Sequence, residues 1–474
     1  MERQPQTLWI LSINQAFYCF ALGCLFSLIT LFLINQVKIS TDSAYEIVGA
    51  FSSLLFTLPL AGGYIGEKLG YNKTILFGSC VSFLGIAILT FFDSKFIYLG
   101  IACFLTGSGF VIPNVSALVG LQYSGKNELR YSGYTFYYMI YNVGFLVSSL
   151  LSGFISTINY SLAFGISDIA LVIAGVIFLV YINTTKLKDN KIVDQKSNFL
   201  SLVILVVSGI LAIIVSLLLL THIEVDHILL WVLTIAAVIG LLVMAKRQPT
   251  SIAGLKIVAF LILVIISIGF QALYLLEPSL LTVFISQNVD RTISNFNIPA
   301  SSYYALDAFF VIVLGFFFSK LWKNLEYKKK TFSLPAKFAS SLLIMGLGYL
   351  IFCVGILLAN SMTHLINSIW IVLGYAFLAT AELLIAPIGL AMVGILLPKG
   401  RDGLGMGIWQ LFIGFSAIVS TYLANMAVTP QDGLPQATNP IFLEALLKSG
   451  CGALIAGIIA LFLVPFIKKL CNQV

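Results

Sequence analysis

Residues 370–397 read WIVLGYAFLATAELLIAPIGLAMVGILL, an apolar run long enough to cross a bilayer that carries a single acid, Glu382. A carboxylate at mid-depth in lipid costs roughly 2.5–3.5 kcal/mol on insertion scales, so such a group is kept for a substrate, an ion or a proton. The rest of the chain reads as a frame for that position.

The 474 residues are 59% hydrophobic and only 9% charged, with a mean hydropathy of +1.03. That profile excludes a soluble domain of this length and predicts an all-α polytopic membrane protein. The formal net charge is +7. The basic residues sit in short loops between apolar runs, where they set topology, so nucleic acid is not an expected partner. The seven cysteines are scattered, most of them within apolar segments, and none has a neighbour at metal-ligand spacing. They read as reduced packing residues, with neither metal nor cofactor expected. The first apolar segment, Leu8 to about Val37, is too long for a signal h-region and lacks a small-residue cleavage site, so it is expected to span.

A window of about 19 residues predicts helices over 8–36, 44–66, 74–92, 97–122, 132–157 and 162–184, then 198–221 and 228–245. Six more follow over 256–286, 302–323, 337–360, 367–397, 403–427 and 441–467. The fourteen helices fall into six, two and six. Lysine and arginine crowd alternate loops: Lys68 and Lys73, Lys126 and Arg130, Lys186 to Lys196, Lys246 with Lys256, Lys320 to Lys337, Lys399 with Arg401, and Lys468 with Lys469. The opposite loops hold Lys38, Lys95 and Arg291. The positive-inside rule then puts both termini in the cytoplasm, as an even number of spans requires.

Two six-helix halves joined by a basic linker are the layout of an alternating-access carrier, whose substrate site lies at mid-membrane between the halves. The expected division is 1–185, a linker with two extra helices over 186–255, and 256–474. The extra pair reads as apolar all round, without an intramembrane charge, and is expected at the periphery with no part in the site. The loop GGYIGEKLGYNK (62–73) places Gly63, Glu67, Lys68, Gly70 and Lys73 on the G-x-x-x-D/E-R/K-x-G-x-x-K pattern of the major facilitator superfamily. Its glycines permit a tight turn, and an acid beside bases can form ion pairs that break as a carrier rocks, so it reads as a cytoplasmic gate.

Four blocks are more specific: GSGFVIPNVSALVG (107–120), GYTFYYMIYNVG (133–144), SQNVDRTISNFNIPASSYY (286–304), and AELLIAPIGL (381–390) followed by GLGMGIWQ (403–410). In order and spacing they resemble the proton-dependent oligopeptide transporters, a branch of that superfamily with the same fourteen-helix layout. The resemblance implies a carrier in the cell (inner) membrane with a small-molecule substrate and protons as partners, each chain working as a monomer. It also implies that Asn114, Asn142, Glu382 and Trp409 line the substrate pocket, with Tyr138, Gln271 and Asp307 beside them. Buried asparagines can donate to and accept from peptide-like amides, and Trp409 offers a flat apolar wall. For Asn114 and Asn142, interhelical hydrogen bonding is the competing role.

The departures from the family matter as much. Where its first helix carries E-x-x-E-R-F, this chain has Asn14, Gln15, Ala16, Phe17, Tyr18 and Cys19. A further arginine is replaced by Leu25, and the lysine of K-P-N by Ile112. The acid and tryptophan of the seventh core helix fall on Leu275 and Gln271, and an amide of the eighth becomes Asp307. A zwitterionic peptide needs an acid for its ammonium and a base for its carboxylate. This pocket keeps the acids and lacks the bases, so the expected substrate is cationic or neutral, with Glu382, Asp307 and Glu277 as the proton-coupling candidates.

Glu277, followed by Pro278, stands two positions after the family's acid, about 200° round a regular helix, and need not face the same way. Asp168 is expected in a structural hydrogen bond, and Glu444 with Lys448 as a surface ion pair. The three histidines, His222, His227 and His364, fall in outer loops. A non-transporting sensor or scaffold on this fold is one alternative, and a di- or tripeptide:proton symporter with relocated coupling residues is another. No H-E-x-x-H or G-x-S-x-G motif supports an enzyme.

Overall fold

The computed structural model describes residues 5–92, 94–123, 127–187, 199–293, 295–327, 332–398, 401–430 and 433–471. Lys126, Lys196 and Lys399 of the topology argument lie outside these residues. Among the described residues, fourteen spans are long and apolar enough to cross a membrane, in the predicted number and order. A helix satisfies its own backbone where no water can, which is why apolar runs of this length fold this way.

The helices are α1 (Gln6–Leu31), α2 (Thr41–Leu69), α3 (Tyr71–Phe91), α4 (Ile97–Leu121), α5 (Asn127–Ser156), α6 (Tyr160–Leu187), α7 (Phe199–Thr221) and α8 (Ile223–Lys246). After them come α9 (Ser251–Tyr274), α10 (Thr282–Asn288), α11 (Ala305–Tyr327), α12 (Leu334–Leu357), α13 (Ser368–Leu396), α14 (Asp402–Ala424) and α15 (Pro435–Leu470). Helices α9 and α10 form one span, Ser251–Asn288, broken in its course.

The chain divides into two compact units. The first holds the chain up to Val37 together with Leu54–Ile223. Within it α1 packs on α5 and α6, α3 on α4, and α7 on α4. Small residues let the backbones close up: a Cβ on Gly62 would lie 2.0 Å from the Gly109 carbonyl oxygen, and one on Gly85 2.4 Å from the Phe104 nitrogen. Between helices in lipid, such close packing takes the place of a hydrophobic driving force.

The second unit holds Lys38–Ser53 and Glu224–Val474. Helix α12 packs against α15, where Gly346 and Gly450 approach each other, and against α13, where Phe352 fills the space a Gly374 side chain would need. Helix α9 packs on α14. Two short ladders stand between α10 and α11 and before α13: β1 (Val289–Asp290) runs parallel to β4 (Ile366–Asn367), and β2 (Thr292–Ile293) pairs antiparallel with β3 (Phe296–Asn297). Asn367 then caps α13, its side chain accepting from the Ile369 N–H at 2.9 Å. All seven cysteines are free.

Of the most apolar windows of α7 and α8, 22% and 17% are buried, against 78% for α4. The expected composition of this extra pair needs correction. Helix α8 begins at Ile223 and draws Glu224, Asp226 and His227 into the span, because one face of its first turns docks on the second unit. Asp226 is buried, and both of its oxygens accept from the Ser53 hydroxyl, at 3.0 and 2.9 Å. A hydropathy window penalises charges wherever they point and so starts this helix too late.

Candidate substrate site

In the second unit the site is built around the break between α9 and α10. Pro278 has no N–H to donate back along the helix, and its ring opposes regular continuation. The chain turns at Leu275–Leu276 and passes through a wide π-turn, Glu277–Leu281. Local hydroxyls take up freed carbonyls: Thr282 Oγ1 donates to Glu277 O at 2.8 Å and Ser279 Oγ reaches Leu275 O at 3.3 Å. This break re-phases Glu277. Its side chain is wholly buried and neighbours Glu382, so the angular argument from a regular helix does not hold here.

Asp307 stands in the first turn of α11, where the free N–H groups of a helix start favour negative charge. Its carboxyl comes within hydrogen-bonding range of the Glu382 carboxyl on α13 and of the Tyr274 hydroxyl. Around the three acids stand four tyrosines. Tyr274 neighbours all three carboxyls and Tyr304, and Tyr375 neighbours Glu277, Asp307, Tyr304 and Tyr349. Tyr349 donates to Leu273 O at 2.6 Å, tying α12 to the end of α9. Gln271, in the last turn of α9, is buried.

Trp409 on α14 is 2% exposed. Its ring lies over the Gly389 backbone, where a Cβ would come 2.2 Å from Cζ2, and edge-on to Phe338 at 6.3 Å between centroids. Gly389 follows Glu382 by two turns on the same face of α13, so the indole and the carboxyl border one face about 10 Å apart along the axis. The structure therefore brings Glu277, Asp307 and Glu382 together, with Gln271 and Trp409 buried in the same unit.

The tyrosines escaped the sequence reading although a signal was present. Tyr274 precedes Glu277 by three residues, Tyr304 precedes Asp307 by three, and Tyr375 precedes Glu382 by seven. The Tyr304–Asp307 spacing sets a hydroxyl beside its acid on one helical face, whereas Tyr274 meets Glu277 across the break and Tyr375 neighbours Glu277 and Asp307 through the fold.

The first unit holds the other candidates. Asn114 is fully buried, and its Nδ2 donates to Gly62 O at 2.9 Å and to Phe110 O at 2.7 Å. In this conformation its amide N–H groups join α2 to α4. Asn142 donates to Tyr138 O at 3.0 Å, and Tyr138 stacks on Tyr141 at 5.8 Å. The stretch that replaces the family's charged cluster is knit into the bundle by neutral groups. Asn14 donates to Ala174 O at 2.7 Å, and the Tyr18 hydroxyl is shared with Ser82 and with Ser108, the latter at 3.0 Å.

Between α2 and α3, Gly70 adopts φ 111°, a backbone conformation that favours glycine. Glu67 and Lys68 are exposed, with the Lys68 ammonium 5.8 Å from the Tyr64 ring centroid. The Lys73 ammonium is buried without a hydrogen-bond partner, and Gly63 packs against Pro113. Asp168 accepts from Thr90 at 3.2 Å, the structural role expected of it. Glu444 and Lys448 form an exposed ion pair at 2.6 Å.

A family model described as the POT family matches residues 72–439. The chain belongs to the POT family. This POT member is 27% identical over 477 residues to the dipeptide and tripeptide permease B of Photorhabdus luminescens, covering 99% of this chain and 98% of the relative. The relative of the same name in Salmonella typhimurium is 26% identical, with 99% and 97% covered. Among solved structures, a bacterial homologue of the human drug peptide transporters PepT1 and PepT2 superposes with a TM-score of 0.85 at 23% identity, over 98% of this chain and 99% of that one. Tetrameric PepTSo2 gives 0.84 at 24%, with 98% of each covered. These likenesses fix the major facilitator fold and make this POT member a multi-pass membrane transporter.

Proposed function

We propose that the protein carries small cationic or neutral solutes, amines or amide-bearing compounds, by alternating access, and couples their movement to protons. The observation that carries this reading is the cluster of Glu277, Asp307 and Glu382 inside a shell of tyrosines, with one half-buried base on α12, Lys337, beside the Phe338 that meets Trp409. Helices α13 and α14 contain no lysine or arginine beyond Arg401 at the α14 cap, and the sole base of α9, Lys256, lies eighteen residues before Tyr274. That is roughly 27 Å along a helix. Two carboxylates as close as Asp307 and Glu382 repel one another in an apolar setting unless a proton or a cation lies with them. A substrate ammonium satisfies this need, and protons satisfy it when the substrate has left, so one cluster serves both selection and coupling. Each chain has a complete set of these residues, which supports function as a monomer; both termini are assigned to the cytoplasmic side of the cell membrane.

A second reading is favoured by the burial of Glu277 beside Glu382: a di- or tripeptide:proton symporter, as the relatives are named, whose coupling acid has moved two residues along the seventh core helix. Uptake into proteoliposomes of labelled dipeptides, amines and nucleosides, with and without an inward proton gradient, separates the two. Amine or neutral-solute uptake that loses concentrative drive in Glu382→Gln while counterflow survives supports the first reading. Robust gradient-driven dipeptide uptake overturns it in favour of the second, and transport of nothing across the panel favours a sensor.

A further inference from the structure

The second extra helix holds a buried acid that the substrate site does not use. Asp226 stands in the first turn of α8 and is 2% exposed, and its two oxygens are served by one hydroxyl, that of Ser53 on α2. Apolar docking of a helix needs no acid, and a buried acid is costly unless it is satisfied. Ser53 also closes the Lys38–Ser53 segment of the second unit; from Leu54 onward α2 belongs to the other unit.

That same segment lies on α14 along a tight seam. A Cβ on Gly49 would fall 1.9 Å from Thr421 Oγ1. Tyr45, Gly49 and Ser52 face Ala417, Thr421 and Ser279 across a crevice too narrow to admit a water molecule. Helix α8 is fixed to the far side of this seam as well: Trp231 meets Phe415 edge-on at 4.7 Å, and Leu230 packs between Leu411 and Phe415. One helix therefore grips α14 through apolar side chains and α2 through a single hydrogen-bonded acid.

The Ser53 hydroxyl has a second acceptor within reach, Ala50 O of its own helix at 2.9 Å. An ionised Asp226 is the stronger acceptor, whereas a protonated one loses the charge that attracts the hydroxyl. We propose that Asp226 is a positioning residue: through Ser53 it clamps the first half of α2 onto α14, and taking up a proton releases the clamp. The titratable groups around it are Glu46 on α2, which neighbours His227, together with Glu224 and His227 on α8 and the Tyr45 hydroxyl at the seam. The α14 stretch 409–421 contributes none. Asp226 and Ser53 belong to neither the acid cluster nor its tyrosine shell, although the seam they close is bordered by Ser279 of the π-turn that carries Glu277.

The test needs no substrate and so does not depend on which solute is carried. In the full-length protein in proteoliposomes, with exposed Cys80 and Cys451 replaced by serine, Ser52→Cys reports opening of the seam through its rate of maleimide labelling. Asp226→Asn is expected to accelerate labelling about tenfold relative to the parent at about pH 8, and this excess is expected to shrink as the pH is lowered and the parent's own carboxyl takes up protons. Comparing variant with parent at each pH cancels the reagent's own pH dependence. Ser53→Ala is expected to reproduce the acceleration and carries the test if Asp226→Asn folds poorly, while Asp226→Glu is expected to keep the slow rate at high pH. Equal rates in all variants overturn the proposal. So does an acceleration independent of pH, which marks a purely structural contact, or acceleration by Asp226→Asn without one by Ser53→Ala.

Discussion

Glu277→Leu separates a carboxyl that holds structure from one that is kept for function. Glu277 is 0% exposed and neither of its oxygens has a hydrogen-bond partner. A buried polar group without a partner costs about 1–3 kcal/mol, and an ion in the same place costs more. Leucine has a similar volume, suits the apolar wall around Leu275, Leu276, Leu280 and Leu281, and leaves the Thr282 bond to the backbone carbonyl intact. The substitution should therefore stabilise the protein by about 1–3 kcal/mol, raising its apparent melting temperature in detergent by several degrees. Glu277→Gln, which leaves polar atoms unpartnered, should not. Proton-driven accumulation should fall in both variants, because the carboxyl that shares the field of Glu382 is gone. A lower melting temperature for Glu277→Leu would show that the carboxyl has a structural partner, and unimpaired accumulation would remove Glu277 from the coupling set.

Three further substitutions test the remaining candidates. Asn114→Ala removes two interhelical or intrahelical bonds, worth roughly 0.6 kcal/mol each between membrane helices, and should cost about 1 kcal/mol in thermal stability; a much larger loss of substrate affinity than of stability would make Asn114 a binding residue. Gly389→Val places a side chain where the Trp409 ring now lies and should destabilise by about 1–3 kcal/mol while shifting tryptophan fluorescence, with an unchanged spectrum counting against the geometry. Tyr18→Phe strands the hydroxyls of Ser82 and Ser108, so melting should fall by about 1–2 kcal/mol without any change in the pH dependence of transport.

The fourteen spans were legible because hydropathy over a bilayer's thickness is the strongest signal a sequence carries, and the Gly70 turn was legible because only glycine accepts that backbone readily. What was not legible turned on helix phase and on the direction of single side chains. Glu277 could not be placed by counting along a regular helix, since Pro278 and the π-turn reset the count. Asp226 was discounted because a window average cannot tell an acid facing lipid from one facing Ser53. Asn114 matched a motif in type and position, yet the motif does not say that its amide protons are taken by Gly62 and Phe110. The Tyr304–Asp307 pair was spelled out in residue spacing and went unread because an aromatic residue in an apolar helix ordinarily means packing.

The exchange of charged for neutral groups in α1 bears on the acids of the other unit. Where the family resemblance places two acids and an arginine, Asn14, Gln15 and Tyr18 form bonds to α6, to their own helix and to α3 and α4, none of which depends on protonation near neutral pH. Helix α1 carries no ionisable acid or base along Gln6–Leu31 beyond its tyrosine and two cysteines. A proton moving with the substrate has no carboxylate to occupy there, so coupling must fall on carboxyls elsewhere, and Glu277, Asp307 and Glu382 are gathered in one place. Carboxyls this close in an apolar setting repel unless protons or a cation lie with them. On the proposed reading, the loss of the basic groups and the presence of Glu277 beside Glu382 act together: the first removes the partner for a substrate carboxylate, and the second adds a site for the proton or ammonium that would replace it.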